Sequence, residues 1–260
     1  MPHYSVLGYS MEPLISAAFG LILGNLDALV FNGFFRGEPI GGTLYSCPTC
    51  RVRLRSVLNS FPLLGFLGGR GRCTSCGARL PYRLIILPLG GAALFAISAL
   101  VFDSFGSALL GGFFALIFLT LSLTDFDRRL LPNRIVYPSI VIAIAVCWAW
   151  PDKSVSQILT GGFAAIAIGI ALLLASLPFG AGALGMGDIK MMILIGFVVG
   201  LPAILVAMLI GTVAAALFGG LMIVTGRRSK RDYMPHGPFL ALGAIIALFW
   251  GVDIWSAYAR

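Results

Sequence analysis

Charge is what this sequence has least of: Asp, Glu, Lys and Arg make up 11% of its 260 residues, while 59% are hydrophobic. An ordinary soluble domain carries about a quarter charged residues, so this scarcity excludes that class. The mean hydropathy of +0.98 places the chain among membrane proteins, with lipid as its main solvent. Residues 1–10 hold no Lys or Arg, and no small-residue cleavage pattern follows a short apolar stretch. No removable signal is therefore expected, and the first hydrophobic segment belongs to the mature protein. Histidine is almost missing: His3 and His236 are isolated and have no partner motif. His236 reads as a loop residue ahead of the Pro238 that opens the last span.

Glycine and proline, by contrast, are plentiful, at 33 and 14 residues. Membrane helices tolerate both, and small residues let helices approach closely, so neither count implies disorder. Apolar stretches run at 11–31, 84–102, 107–124, 135–150, 157–178, 189–201, 203–225 and 238–256. These predict an all-α polytopic membrane protein of about eight transmembrane helices. The sixth stretch is short, and only Gly200, Leu201 and Pro202 part it from the seventh.

Positive charge fixes the expected orientation, because short loops rich in Lys and Arg stay cytoplasmic. Residues 35–83 carry Arg36, Arg51, Arg53, Arg55, Arg70, Arg72, Arg79 and Arg83 against the single acid Glu38. Taking every second loop, the same face receives Arg128, Arg129 and Arg134, then Lys190, then Arg227, Arg228, Lys230 and Arg231. With both termini outside, 16 of the 18 basic residues lie on one side. The net charge of +8 is thereby explained by topology, and no nucleic-acid partner is implied.

Residues 35–83 form the only sizeable non-membrane piece, too short for a large core of its own. It contains Cys47-Pro48-Thr49-Cys50 and Cys73-Thr74-Ser75-Cys76, two C-x-x-C knuckles at near zinc-ribbon spacing. Two facing knuckles supply four thiolates in a closed tetrahedral shell suited to structural Zn²⁺, with no open position for substrate. Paired disulfides or a redox dithiol are the rival readings; a reducing cytoplasmic setting argues against them. The fifth cysteine, Cys147, falls in the fourth span as a small packing residue.

Acids near a bilayer are costly and tend to mark function. Asp125 and Asp127 stand at the end of the third span, followed by Arg128-Arg129-Leu130-Leu131-Pro132-Asn133, and Asp188 stands at the start of the sixth in Gly185-Met186-Gly187-Asp188-Ile189-Lys190. Both groups lie on the expected cytoplasmic face and can meet if spans three and six pack together. A pair of carboxyls sharing one proton suits peptide hydrolysis. The glycines beside Asp188 are read as allowing close backbone approach and an unwound helix start. The plainer reading is an interfacial Asp that caps its helix or pairs with Arg128, Arg129 or Lys190; it is preferred for Asp127, and for Asp27 in the first span a simple reach to water.

The string from Asp125 to Pro132 resembles the D-x-x-x-x-x-(L/I)-P signature of type IV prepilin leader peptidases. Residues 185–190 resemble their G-x-G-D-(V/I)-K signature, and Pro235-His236-Gly237-Pro238-Phe239-Leu240-Ala241-Leu242-Gly243 their P-x-G-P-F-L-A-L-G segment. The paired C-x-x-C knuckles match as well. The resemblance implies that Asp125 and Asp188 are the catalytic pair, supported by Gly185, Gly187, Lys190 and Pro132, with Zn held by Cys47, Cys50, Cys73 and Cys76. It implies a multi-pass protein of the bacterial inner membrane. The first span would occupy residues 1–34, a cytoplasmic zinc module 35–83 and the peptidase domain 84–260. The substrates implied are type IV prepilins or type II secretion pseudopilin precursors, cut on the cytoplasmic face between a basic leader and a hydrophobic helix.

Many such proteins also methylate the new N-terminus, with S-adenosylmethionine as cofactor. Here the chain departs from the bifunctional pattern: Ala28 stands for an Asn, Gly33 for an Arg and Pro88 for an acid, although Arg83 is kept. S-adenosylmethionine is thus expected only where that second activity survives. Two other classes were weighed: a catalytically silent membrane scaffold of the same fold, and a proton-coupled secondary transporter. The second would show inverted repeats and midplane acids; no repeat is seen.

Overall fold

The computed structural model describes residues 11–34, 47, 49–50, 62–73, 75–150, 153–176, 185–226 and 236–259. The arginines at 36, 51, 53 and 55, Glu38, the basic loop 227–231, Pro235, His3 and Arg260 lie outside them. The elements are α1 (Glu12–Phe34), α2 (Pro62–Gly68), α3 (Arg83–Val101), α4 (Phe105–Arg128), α5 (Asn133–Ala145), a 3-10 turn (Cys147–Ala149), α6 (Val155–Ser176), α7 (Met186–Val199), α8 (Ala203–Val224) and α9 (Gly237–Tyr258). Among the described residues there is no β-strand, only an isolated antiparallel bridge between Arg72 and Arg79. The protein is an all-helical membrane protein.

Each of the eight apolar stretches falls on a helix. Six of them, α1, α3, α4, α6, α8 and α9, are long and apolar enough to cross a membrane. The other two are shorter, α5 with 13 residues and α7 with 14. The fourth stretch, expected to run to residue 150, stops being α-helical at Ala145, and Trp150 is extended at φ −80°, ψ 105°. Pro151 accounts for the extended Trp150, since a following proline pushes its neighbour out of the helical region. The turn after α7 rests on Gly200, whose φ of 72° is cheap only for glycine. A Cβ there would stand 2.9 Å from the carbonyl oxygen of Gln157 at the start of α6. The neighbouring Leu201 N–H donates to that same oxygen at 3.0 Å.

Two compact units divide the chain, Met1–Phe113 and Phe114–Arg260. In the first, α1 and α3 cross backbone to backbone. Gly20 and Gly24 of α1, one helical turn apart, face Gly91 and Leu87 of α3, so that a Cβ on either would collide with a carbonyl oxygen. Without a hydrophobic force between helices in lipid, such close van der Waals contact is what holds them. Asn25, also buried in α1, donates to the Leu21 carbonyl at 2.8 Å and accepts the Leu63 N–H at 3.2 Å, which ties α2 to α1. In the second unit the same small-residue logic joins α6 to α7 through Gly161 and Gly196, and α8 to α9 through Ala207, Gly211 and Gly243.

This crossing makes a direct prediction. Gly91→Ala puts a Cβ 2.5 Å from the Gly20 oxygen, whereas Gly106→Ala at the start of α4 meets nothing within 4 Å. Overpacking of this kind costs about 1–3 kcal/mol, so Gly91→Ala lowers the thermal midpoint of the detergent-solubilised protein and Gly106→Ala does not. Equal midpoints would contradict the crossing.

Candidate active site and metal centre

Asp125 occupies the last turn of α4 and is only 5% exposed. Just before it, the Thr124 hydroxyl donates back to the Leu121 carbonyl at 2.7 Å, and the Thr120 hydroxyl to Leu116 at 2.9 Å. These buried polar groups are satisfied within the helix. Just after it, Arg129 takes a left-handed φ of 55°, and its N–H donates to the Asp125 carbonyl at 2.8 Å. That bond ends the helix and turns the chain toward Pro132, which enters α5 in an extended conformation (φ −70°, ψ 120°).

The Asp125 carboxylate is met by a different helix. Its Oδ2 accepts the backbone N–H of Gly237 at 3.0 Å, a buried bond spanning 112 positions of sequence. Gly237 is the first residue of α9, where backbone N–H groups have no partner inside the helix and the helix dipole favours an anion. Only glycine fits: a Cβ would stand 2.6 Å from Oδ2 and 2.8 Å from the carboxylate carbon.

Asp188 lies half-buried in the first turn of α7, its N–H donating to the Gly185 carbonyl at 3.0 Å. Here the expected unwound start is corrected, because the helix begins at Met186 and already includes Asp188. Gly187 is small for another reason: a Cβ on it would press within 3.2 Å of Leu131. Asp125 and Asp188 are within electrostatic reach of each other. Helix α7 makes its broad contacts with α6, α9 and α5, so α9 and α5 join in bringing the two acids together.

His236 lies where the sequence put it, just ahead of α9 and without a side-chain cap bond, and it interacts electrostatically with both Asp125 and Asp188. The signal that could have found it is its place inside the P-x-G-P-F string, next to Gly237. Asp127 is exposed, and Asp27 is half-buried in α1. Cys147 is buried in the 3-10 turn, as its packing role predicted.

In the first unit, the four knuckle cysteines converge. Their Sγ atoms all lie within 4.8 Å of one another, with Cys47 to Cys76 at 3.6 Å and Cys50 to Cys73 at 3.8 Å. Four sulfurs about 2.3 Å from a tetrahedral zinc would be about 3.8 Å apart, and a disulfide needs about 2.05 Å; the set fits a metal ion such as zinc. The second knuckle is built for this. Cys73 N–H donates to Ala78 and Gly77 N–H to Cys73, both at 2.8 Å, with Gly77 at φ 72°. Burial pushes the Cys47 thiol up, but hydrogen bonds from the Cys50 and Thr49 backbones and from the Cys50 and Cys73 thiols outweigh it and bring it to about 6. At Cys76 the Ala78 backbone bond is outweighed by burial and the other thiols, and the group is raised to about 12.

Comparison with known proteins now joins these two sites. Residues 112–220, which include both acids, match the type IV leader peptidase family. Residues 19–102, which include all four knuckle cysteines, match the bacterial peptidase A24 N-terminal domain. A prepilin leader peptidase/N-methyltransferase of Bacillus subtilis is 31% identical over 242 residues, 93% of this chain and 96% of that protein. The chain belongs to the type IV leader peptidase family. Proteins of the same name from Pseudomonas putida and Pseudomonas aeruginosa are 30% and 29% identical over 81% and 83% of this chain, covering 73% and 74% of their own length. No solved structure gives a significant match. As a leader peptidase the protein is a multi-pass membrane peptidase of the aspartic type. His236 and Gly237 lie beyond the matched family segment, although the structure sets them against Asp125.

Proposed function

We propose that this leader peptidase cleaves type IV prepilin-like or type II pseudopilin precursors with Asp125 and Asp188 as its catalytic pair. The observation that carries this reading is the bond from Gly237 to Asp125, by which the third motif is brought to the first while Asp188 lies within reach. Two neighbouring carboxyls hold one proton between them. The ionised one takes a proton from water, whose oxygen attacks the scissile carbonyl carbon. The protonated one donates a hydrogen bond to the carbonyl oxygen, and as the tetrahedral intermediate collapses the amide nitrogen leaves with a proton. The buried, helix-capped setting of Asp125 holds its orientation fixed through these steps.

The arginine-rich loops of the sequence favour the cytoplasmic face of the bacterial inner membrane for this chemistry, where a basic leader would emerge ahead of a hydrophobic pilin helix. Zinc held by Cys47, Cys50, Cys73 and Cys76 acts structurally, since its four-sulfur shell leaves no ligand position for substrate. Methyl transfer has less support. Of the three positions that depart from the bifunctional pattern, Ala28 is fully buried and Pro88 lies against Gly24 in the α1–α3 crossing. Neither offers a polar group to S-adenosylmethionine, so the residues there do not fit that cofactor.

The test is incubation of a prepilin-like precursor with membranes containing the protein, the mature N-terminus being read by mass spectrometry. The expected product is cut at the leader boundary and lacks an added methyl group. A methylated product would restore the transferase. An uncut precursor would instead favour the catalytically silent scaffold.

A further inference from the structure

The two candidate catalytic acids belong to helix ends that have no covalent reason to stay in register. Asp125 lies in the last turn of α4, and eight residues later the chain enters α5 at Asn133; Asp188 lies in the first turn of α7. Between these ends lies a polar cross-link. The Lys190 ammonium donates to the Asn133 side-chain oxygen at 2.9 Å and lies 5.4 Å from the centre of the Tyr137 ring, within cation–π range. Lys190 is two residues from Asp188, and Asn133 follows the Leu131-Pro132 turn. Beside the cross-link, Leu131 lies close enough to Gly187 that an added Cβ would stand 3.2 Å from it, so apolar contact and the lysine bond both tie the two ends together.

Resting on the reading of Asp125 and Asp188 as the catalytic pair, we propose that Lys190, Asn133 and Tyr137 form a clamp that fixes the separation of the two carboxyls, with Lys190 a positioning residue. The clamp's chemistry suits that role. Lys190 is long enough to bridge two helix ends, and a neutral amide acceptor places no additional negative charge beside the acids. The aromatic face below the ammonium holds it by a second, independent contact. An exposed ion pair alone would contribute little; here the effect falls on geometry, where a displacement of about 1 Å costs roughly a hundredfold in rate.

The experiment is steady-state cleavage of a prepilin-like precursor by the full-length protein in membranes, comparing wild type with Lys190→Met, Asn133→Ala, their double variant, Asn133→Gln and Asp188→Asn. The clamp predicts that Lys190→Met and Asn133→Ala each lower kcat at least about tenfold with KM nearly unchanged. The double variant is no worse than either single change, and Asn133→Gln, which keeps a neutral amide acceptor, restores most of the rate. Wild-type kcat in both single variants overturns the clamp. A raised KM at unchanged kcat also overturns it and moves Lys190 to precursor binding, and additive losses do the same by removing the link between the two residues. If Asp188→Asn cleaves like wild type, the catalytic pair itself falls and the clamp with it, an outcome distinct from failure of the clamp alone.

Discussion

Asp125→Asn and Asp188→Asn are each expected to lower precursor cleavage by at least about a thousandfold, the scale of a lost general acid or base. Asparagine keeps the shape of the side chain and can still accept the Gly237 N–H, which is bonded at 3.0 Å to Oδ2 in Asp125. The fold around α9 is therefore retained while the transferable proton is lost. In the proposed pair the two acids act as one unit, so the double variant should be no slower than either single one. Asp127→Asn, exposed two residues away, should stay within a few-fold of wild type. Initial rates on one precursor, with product N-termini sequenced, decide the matter; substantial turnover by either single Asn variant would end the two-carboxylate mechanism.

The second large effect belongs to the cysteines. Cys73→Ser is expected to drop bound zinc from about one ion per chain to nearly none and to expose the segment around it to protease. In small zinc modules metal binding supplies about 10–16 kcal/mol of apparent free energy, and residues 35–83 are too few to replace it with a core. Cys147→Ser, in a buried turn of the other unit, should leave zinc content unchanged. Elemental analysis of the purified protein with limited proteolysis reads both. Acid should also strip the ion, since every sulfur must give up its proton to bind. A Cys73→Ser chain with full zinc, or a zinc-free wild type equally resistant to protease, would defeat this role.

Much of the architecture is readable from the amino acids because lipid leaves few choices: every apolar stretch became a helix, with α3, α4 and α8 within a few residues of the expected bounds. The cysteine set is readable for a similar reason, since two C-x-x-C turns have few uses beyond gripping one ion. What fails is whatever depends on neighbours remote in sequence. Gly187 lies close to Leu131, where an added Cβ would stand 3.2 Å away, a contact no local pattern around Asp188 reveals. His236 looked idle because its partners are 111 and 48 positions away in the numbering. Gly237 of α9 bonds Asp125 and α9 and α5 pack against the helix of Asp188, whereas the sequence reading considered only packing of spans three and six.

The brevity of α7 bears on the surrounding lipid. Its 14 residues rise about 21 Å, while the hydrocarbon layer is about 30 Å thick. That shortfall would strain a lipid-facing helix, but Ile189, Met191, Met192 and Leu194 to Val199 of α7 are buried, so α6, α9 and α5 meet it with protein and the bilayer need not thin around it.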